Sequence, residues 1–531
     1  MLMPRLKVLL LKPDVESFEA ALKADENDKL PEGLPVKADL GLDAKLYMRP
    51  PNAKHPAWLE FVQQGLDGAL DYRTATAGAL LLLRTSGRIF AIPFGYGRLA
   101  LRPSAHVRDF GVKIALNVID ADNGIRSLDL MKTEDLTVNT RVQTSRAARL
   151  SVFGVNKSKD FLRAIAGKPL DGFSFGRTVV GTDSATVTMD VVFAQLAEVC
   201  DELFEIYGRD EYIEKGFGFY DNLRPVVDAE QLAELDQKLD EVLGSGDTTA
   251  IHLALPDAMD LDDIDGYKYR GHGVQRSELD IDEMLADLGE VGIAATSEWL
   301  KGHYLYVAFS TAPEHDYRKC ELYDCVVFEA RLADDDGGVY ILAGGDWHRA
   351  SDDFIAQVDG KLAALSVCDL PFPDCPEGTD EAVYNAAAAP ALDCALMDCK
   401  DVGFGGYDKL ELCDLLSRDG RFVHVKKREK SSTLSHLFMQ GLNSARLLLE
   451  SPVFRTIARD VIEGVDATFV ECVPTATPEV TDVEIVFGII SPEKHAVPSG
   501  LPFFSRLSLA ESYDVLDGMG YRVSVAHIKR V

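Results

Sequence analysis

The chain has 531 residues, of which 47% are hydrophobic and 27% charged, which is typical of globular proteins with several domains. Its nine cysteines include no C-x-x-C pair, which argues against a disulfide framework or a zinc ribbon. The pairs Cys394 and Cys399, or Cys320 and Cys325, are spaced more loosely than zinc ligands usually are. The net charge of −31 argues against nucleic-acid binding over most of the surface, because phosphates repel an acidic protein.

The negative charge is unevenly distributed along the chain. Residues 190–298 hold 28 acidic and 7 basic side chains, a balance of −21, whereas residues 140–180 hold 8 basic and 2 acidic ones. Residues 400–460 are also slightly basic, with 11 against 8. The basic segments predict contacts to DNA or RNA, and the acidic middle predicts a protein partner; ordinary solvated surfaces are the alternative. The candidate nucleic-acid-binding residues are Arg141, Arg146, Arg149, Lys427, Arg428, Lys430 and Gln440.

No apolar run is long enough to cross a membrane. The runs Val8–Leu11 and Ala79–Leu83 are far shorter than the roughly 20 residues that span about 30 Å of hydrocarbon. The N-terminus also lacks a signal-peptide cleavage pattern. We therefore expect a cytoplasmic protein without membrane contact, which can form a homo-oligomer.

The first predicted domain, residues 1–190, is mixed α/β and contains the basic segment. Hydrophobic periodicity and turn residues give its elements in order. They are a strand at 7–12, a helix at 15–23, a hairpin at 80–101, helices at 107–117 and 158–166, and strands at 178–189.

The second predicted domain, residues 191–370, is the acidic middle α/β domain. Its predicted elements are a helix at 193–207, a loop at 243–249, strands at 250–255, 304–309 and 326–342, and a helix at 352–365. Pro371, Pro373, Pro376 and Gly378 then indicate a break before the last domain.

The third predicted domain, residues 371–531, begins with an alanine-rich helix. The expected elements are a helix at 380–389, strands at 395–399, 409–416 and 422–427, a helix at 433–450, a strand at 483–490, a helix at 509–519 and a strand at 523–528. The order αβββαβ resembles the core of restriction-endonuclease-like domains. The fold class expected for the whole chain is therefore α/β, in the sense of an α+β multidomain protein.

A hairpin in this domain gathers groups that suit phosphodiester cleavage. The Asp-Gly turn at 419–420 joins two short strands, which places Asp414 near His424 and Lys426. His424 and Lys426 share one face because side chains alternate along a strand. Cleavage requires carboxylates to hold a divalent cation and a positive group to offset charge on the phosphorane.

This arrangement resembles the PD-(D/E)xK nuclease superfamily. The resemblance implies that Asp414 binds metal, that Lys426 is catalytic, that Glu381 is the acid of the first helix, and that Gln440 is a polar residue of the site. The chain departs from the family where His424 replaces an acid, and imidazole is a poor ligand for Mg²⁺. Either Glu411 supplies the missing oxygen, or His424 acts as a base or favours Mn²⁺. The implied cofactor is Mg²⁺ or Mn²⁺.

The whole chain also resembles a family of sporadically distributed bacterial proteins without an assigned function. Such families occur near restriction and phage-defence genes, so the resemblance implies a defence role. The matching segments are Phe94–Arg98, Asp109–Asn117, Glu411–Leu416, His424–Lys426, Leu434–Gly441 and Pro502–Leu507.

The sequence thus predicts an anti-phage defence protein that cleaves DNA or RNA with metal. Its candidate catalytic residues are Asp414, Lys426, His424 and Glu381, and its candidate metal ligands are Asp414 and Glu411. Two alternatives stay open: a recognition module that binds nucleic acid or a phage protein with a degenerate nuclease fold, and a purely structural hairpin.

Overall fold

The computed structural model describes residues 5–24, 30–56, 58–68, 71–133, 137–157, 160–256, 264–309, 317–333, 335, 338–400, 402, 411–428, 431–493 and 496–531. They form a mixed α/β structure with several sheets. They group into two compact units that divide between Asp221 and Asn222, except that residues 133, 137 and 138 group with the second. The three domains with boundaries at 190 and 370 stay a prediction.

Unit one is built on one ten-stranded sheet in the order β2-β3-β4-β5-β1-β10-β9-β8-β6-β7. Its strands are β1 (Arg5–Leu10), β2 (Gly33–Pro35), β3 (Asp43–Lys54), β4 (Thr74–Thr85), β5 (Arg88–Gly95), β6 (Ile125–Thr133), β7 (Thr137–Ala148), β8 (Asp160–Gly167), β9 (Val179–Gly181) and β10 (Ala185–Thr188). Its helices are α1 (Trp58–Gln63), α2 (Phe110–Val118) and α3 (Leu196–Tyr207).

Strand β1 lies in the middle of this sheet and is buried on both faces. Leu10 belongs to a core with α2 and α3, whereas Leu9 belongs to a second core on the opposite face. The predicted hairpin at 80–101 is confirmed as β4 and β5, joined through Ser86 and Gly87 at positive φ. Because both faces are covered, β1 has a continuous apolar run instead of an alternating one.

Two helix predictions in unit one are wrong. Residues 15–23 form only a 3-10 turn at Glu19–Ala21, since an isolated helix of this length is marginal and the segment instead packs its apolar side chains on the sheet. Residues 160–166 belong to β8, where pairing with β6 and β9 overrides the helix propensity of alanine and leucine.

Unit two begins with an antiparallel sheet of five strands, ordered β11-β18-β17-β16-β12, and a second sheet ordered β13-β14-β15. The strands are β11 (Leu223–Pro225), β12 (Ile251–Leu253), β13 (Ile264–Lys268), β14 (Tyr304–Phe309), β15 (Arg318–Glu321), β16 (Val326–Ala330), β17 (Tyr340–Ala343) and β18 (Asp346–Ala350). The helices are α4 (Ala229–Ser245), α5 (Ile281–Gly289), α6 (Ser297–Gly302) and α7 (Asp352–Leu362).

The remainder of unit two contains a mixed six-stranded sheet ordered β19-β24-β23-β22-β21-β20. Its strands are β19 (Ser366–Val367), β20 (Cys394–Leu396), β21 (Leu415–Ser417), β22 (Arg421–Lys427), β23 (Glu484–Ser491) and β24 (Arg522–Lys529). Its helices are α8 (Glu381–Ala391), α9 (Ser431–Glu450), α10 (Pro452–Asp466) and α11 (Phe503–Gly518). The predicted succession of helices and strands is confirmed here, with α10 as an additional helix. Strand β21 is shorter than the strand predicted at 409–416: residues 409 and 410 lie outside the described residues, and residues 411–414 precede the strand.

Strand directions in this sheet change at β22. Strands β20, β21 and β22 form an antiparallel meander, whereas β22, β23, β24 and β19 are parallel. Val423 and Val425 face α8, where they join a core with Tyr384 and Ala388. Phe487 of β23 faces α9 and contacts Phe438 with a ring separation of 5.2 Å.

None of the described helices combines the length and the apolar character needed to cross a lipid bilayer.

Candidate functional site

The site is built where β22 extends past the end of β21. Strand β21 pairs with β22 only at Leu415 opposite Val423 and Leu416 opposite Phe422. The backbone N–H groups of Val425 and Lys427 lie beyond this ladder, and they donate to carboxylates instead. Val425 donates to Asp414 Oδ2 over 2.6 Å, and Lys427 donates to Glu381 Oε2 over 3.3 Å. Two acidic side chains therefore cap the edge of β22.

Lys426 lies between these two capped positions. Its Nζ is 3.0 Å from Glu381 Oε1, and about a third of each side chain is exposed. Glu381 is the first residue of α8, so that helix delivers the acid to the end of β22. The structure thus brings Glu381 and Lys426 together, as the sequence resemblance implies.

Two further acids complete a group that we call the acidic cluster: Glu381, Asp398, Glu411 and Asp414. The carbonyl oxygen of Asp414 accepts from the N–H groups of Met397 at 2.8 Å and Asp398 at 3.0 Å, which fixes the end of β20 beside Asp414. Ligand atoms of Asp398, Cys399 and Glu411 all lie within 4.8 Å of one another. The sequence resemblance did not include Asp398 or Cys399.

The carboxyl group of Asp414 is nine-tenths buried, and three other carboxylates repel its charge. Burial raises its pKa to about 7, and the neighbouring carboxylates of Asp398, Glu411 and Glu381 push in the same direction. The hydrogen bond from Val425 opposes this shift. Crowded acids of this kind favour either a shared proton or a bound cation.

His424 lies on the face of the sheet that α9 covers. It is 2% exposed, its Nε2 is 3.4 Å from Ser444 Oγ, and its ring packs beside Phe487. Burial lowers its pKa to about 4, so the imidazole is neutral at pH 7. The acids lie at the edge of β22, whereas the imidazole of His424 lies under α9, so the structure does not bring His424 together with the acidic side chains.

The other candidate residues lie in varied surroundings. Gln440 is half-buried on α9, and Lys427 is half-buried at the end of β22. Burial lowers the pKa of Arg428, and its Nη1 has no hydrogen-bond partner in the described part of the chain. Lys430 lies outside the described residues. In unit one, Arg141 donates from Nε to Asp129 Oδ1 over 2.7 Å, while Arg146 and Arg149 are exposed.

Comparison with known protein families shows to which family the chain belongs. The sequence pattern of DUF6119, a family of unknown function, matches residues 6–529. The chain belongs to the DUF6119 family. No significant match is found among curated proteins or solved structures.

Two segments of this DUF6119 protein that carried the whole-chain resemblance in the sequence have structural roles. Asn117 on α2 donates from Nδ2 to the carbonyls of Ile206 at 3.1 Å and Arg209 at 3.0 Å, which holds the end of α3. Glu329 accepts from the N–H of Phe503 at 2.8 and 2.7 Å and so caps α11. These contacts account for Asp109–Asn117 and Pro502–Leu507 as folding elements.

Proposed function

We propose that α8 to β24 form a restriction-endonuclease-like domain that cleaves DNA or RNA phosphodiesters with a divalent cation. The order α8-β20-β21-β22-α9-β23, with an antiparallel meander followed by a parallel strand, supports this fold. The observation that carries the proposal is the acidic cluster at the edge of β22, of which one member, Glu381, pairs with Lys426 over 3.0 Å.

The donor set fits a hard divalent cation. Carboxylate oxygens are the ligands that Mg²⁺ and Mn²⁺ prefer, and the raised pKa of Asp414 reflects a local excess of negative charge. Asp414, Glu411 and Asp398 would hold the cation, which would supply Lewis-acid activation of the phosphate.

The remaining residues have roles that follow from their contacts. The ammonium of Lys426 would stabilise the charge that develops on the phosphorane. Glu381 holds that ammonium at 3.0 Å and is a positioning residue. His424 has no part in the proposed chemistry, because its neutral ring is enclosed by α9 and β23.

A cleavage assay with paired lysine variants tests the proposal. Purified protein is incubated with plasmid, single-stranded DNA and RNA, with Mg²⁺ or Mn²⁺. We expect Asp414→Ala and Lys426→Ala to abolish cutting. Lys529→Ala is the matched control, because it breaks a comparable ion pair, with Glu493, at the end of the parallel strand β24. Equal cutting by all variants would assign the activity to a contaminant or another site.

A role in phage defence rests on the whole-chain sequence resemblance and is part of the same proposal. Cells that express the wild-type chain should form fewer phage plaques than cells that express Asp414→Ala. Equal plaque counts, with both proteins present at equal levels, would remove the defence role.

A recognition module without catalysis is the second candidate, and the exposed Arg146 and Arg149 favour it. Such a module would bind nucleic acid without metal, and its affinity would fall steeply with salt. The acidic middle segment would then contact a phage or host protein. Cleavage that depends on Asp414 would decide for the nuclease.

A further inference from the structure

A cysteine, Cys399, lies beside the acidic cluster, and a magnesium-dependent nuclease does not need a thiol there. Cys399 follows β20 and is exposed, and its Sγ lies 3.3 Å from Asp398 Oδ1. Its sulfur belongs to the group of three ligand atoms, with Asp398 and Glu411, that lie within 4.8 Å of one another. Two oxygens and one sulfur at this spacing can contact a single cation, since metal–ligand bonds of about 2.0 to 2.3 Å separate such donors by less than 4.8 Å.

A buried amide independently indicates a ligand here. Asn385 on α8 is 1% exposed, and its Nδ2 donates to Asp398 Oδ2 over 3.2 Å. Its Oδ1 is buried and has no hydrogen-bond partner among the described residues. Leaving a buried acceptor unpaired is costly, and a water on a cation held by Asp398 would provide the missing donor. Asn385 therefore has the position of an outer-shell residue that orients a metal-ligating carboxylate.

The thiol decides the class of cation. Magnesium selects oxygen ligands, whereas thiolate ligands select softer ions such as zinc. We propose that Asp398, Cys399 and Glu411 bind a thiophilic divalent cation, with zinc as the expected ion. This inference rests on the proposed function, because it assigns the cation of the same site and replaces Mg²⁺ or Mn²⁺ as the preferred ion.

Binding exchanges a proton for the metal. The cation forms a bond to sulfur as the S–H bond breaks, and the proton leaves to solvent. Metal affinity should therefore increase as the pH rises.

Cadmium is a suitable probe, because a thiolate bound to Cd²⁺ gives an ultraviolet charge-transfer absorption that oxygen ligands do not give. The full-length protein is titrated with Cd²⁺ alone, and Zn²⁺ is then added in competition. We expect the absorption to appear in the wild type, to be lost in Cys399→Ser, and to persist in Cys472→Ser. Cys472 is the matched control because it is a half-buried thiol of the same unit, bonded to the carbonyl of Ser417.

Two further variants separate ligation from folding. Cys399→Asp should restore metal binding through oxygen and shift the preference toward Mg²⁺ and Mn²⁺, which a merely unfolded variant cannot do. Asn385→Ala should weaken Zn²⁺ binding roughly 10- to 100-fold, as outer-shell changes commonly do. Circular dichroism monitors folding of each variant.

The outcomes distinguish this inference from the nuclease proposal. A charge-transfer band that is absent in the wild type, or unchanged in Cys399→Ser, overturns the thiolate site even if Mg²⁺ supports cleavage. A band that depends on Cys399, without cleavage in any metal, leaves the metal site standing and rejects the nuclease.

Discussion

Asp414 and Val425 are joined by a hydrogen bond in which the backbone N–H of Val425 donates to the carboxylate of Asp414 over 2.6 Å. The contact lies at the point where β22 has lost its neighbour β21, so the side chain replaces a missing strand. The same hydrogen bond keeps the nearly buried carboxylate of Asp414 close to three other carboxylates. The electrostatic repulsion among them costs free energy, which a bound cation would offset. Stability and metal binding should therefore be coupled through this residue.

The first prediction concerns the pH dependence of folding. The folded-state pKa of Asp414, about 7, is above its ordinary value of 3.8, so the stability that this protonation contributes is fully present below about pH 4 and is lost as the pH rises through 7. The contribution of this group to the free energy of unfolding should decrease by up to roughly 1.4 kcal/mol per pH unit in that window. Asp414→Asn keeps an acceptor for Val425 and should remove this decrease.

Urea denaturation across a pH series measures the effect. The free energy of unfolding of Asp414→Asn should increase relative to the wild type between about pH 4 and about pH 7, and a saturating divalent cation should reduce the difference. Parallel curves for the two proteins would show that Asp414 has an ordinary pKa.

The second prediction separates His424 from the chemistry. Its folded-state pKa, about 4, lies below its ordinary 6.5, so it stabilises the fold above about pH 6.5 and loses that contribution as the pH falls toward 4. His424→Glu buries a carboxylate beside Phe487 and should lower the free energy of unfolding by roughly 2 to 4 kcal/mol, without increasing cleavage in Mg²⁺.

The matched variant is His424→Gln, whose amide can still bond to Ser444 and which should cost less stability. Thermal unfolding and cleavage rates are measured on the same preparations. Restored Mg²⁺-dependent activity in His424→Glu would place this residue back among the metal ligands.

The third prediction concerns Glu381 as a positioning residue. Glu381→Gln retains an oxygen for the N–H of Lys427 but loses the ion pair with Lys426. Since water screens an ion pair that is about a third exposed, the free energy of unfolding should change by less than about 1 kcal/mol. The single-turnover cleavage rate should fall about tenfold or more, because the ammonium is no longer held in place.

Glu381→Asp provides the control for this interpretation. It keeps the charge and shortens the side chain, so partial rescue of the rate is expected if the pairing with Lys426 matters. A rate that is the same for Gln, Asp and wild type would leave Glu381 with only its role as a cap.

The elements of the C-terminal sheet were predictable because each has a strong local signal. The Asp419-Gly420 turn and the apolar runs on either side define β21 and β22, and the polar break after Pro371 precedes α8. In unit one the local signals failed at Asp160–Gly167. Its alanine and leucine suit a helix, and only pairing with β6 and β9, distant in sequence, makes it a strand.

The candidate site, like the fold, contains residues that the local sequence predicts and residues that only contacts between distant segments bring together. The resemblance to a known succession of elements is what grouped Lys426, Asp414 and Glu381 as candidates in the sequence. Asp398 and Cys399 could not be identified in this way, since their approach depends on the carbonyl of Asp414 receiving the N–H groups at the end of β20. Alternation correctly places His424 on one face of β22, but it does not reveal which helix covers that face.

The fourth prediction tests the close packing of α2 in unit one. A Cβ added to Gly111 would overlap the carbonyl of Ser184, and this backbone contact has no flexible atom that can move aside. Gly111→Ala should therefore lower the free energy of unfolding by roughly 2 to 4 kcal/mol, a typical cost of overpacking together with a displaced helix. Gly68→Ala is the matched control, because a Cβ there meets no atom within 4 Å and should change stability by less than about 1 kcal/mol. Thermal and urea unfolding of both variants measure the difference, and equal stability of the two would mean that α2 does not pack closely against the segment at Ser184.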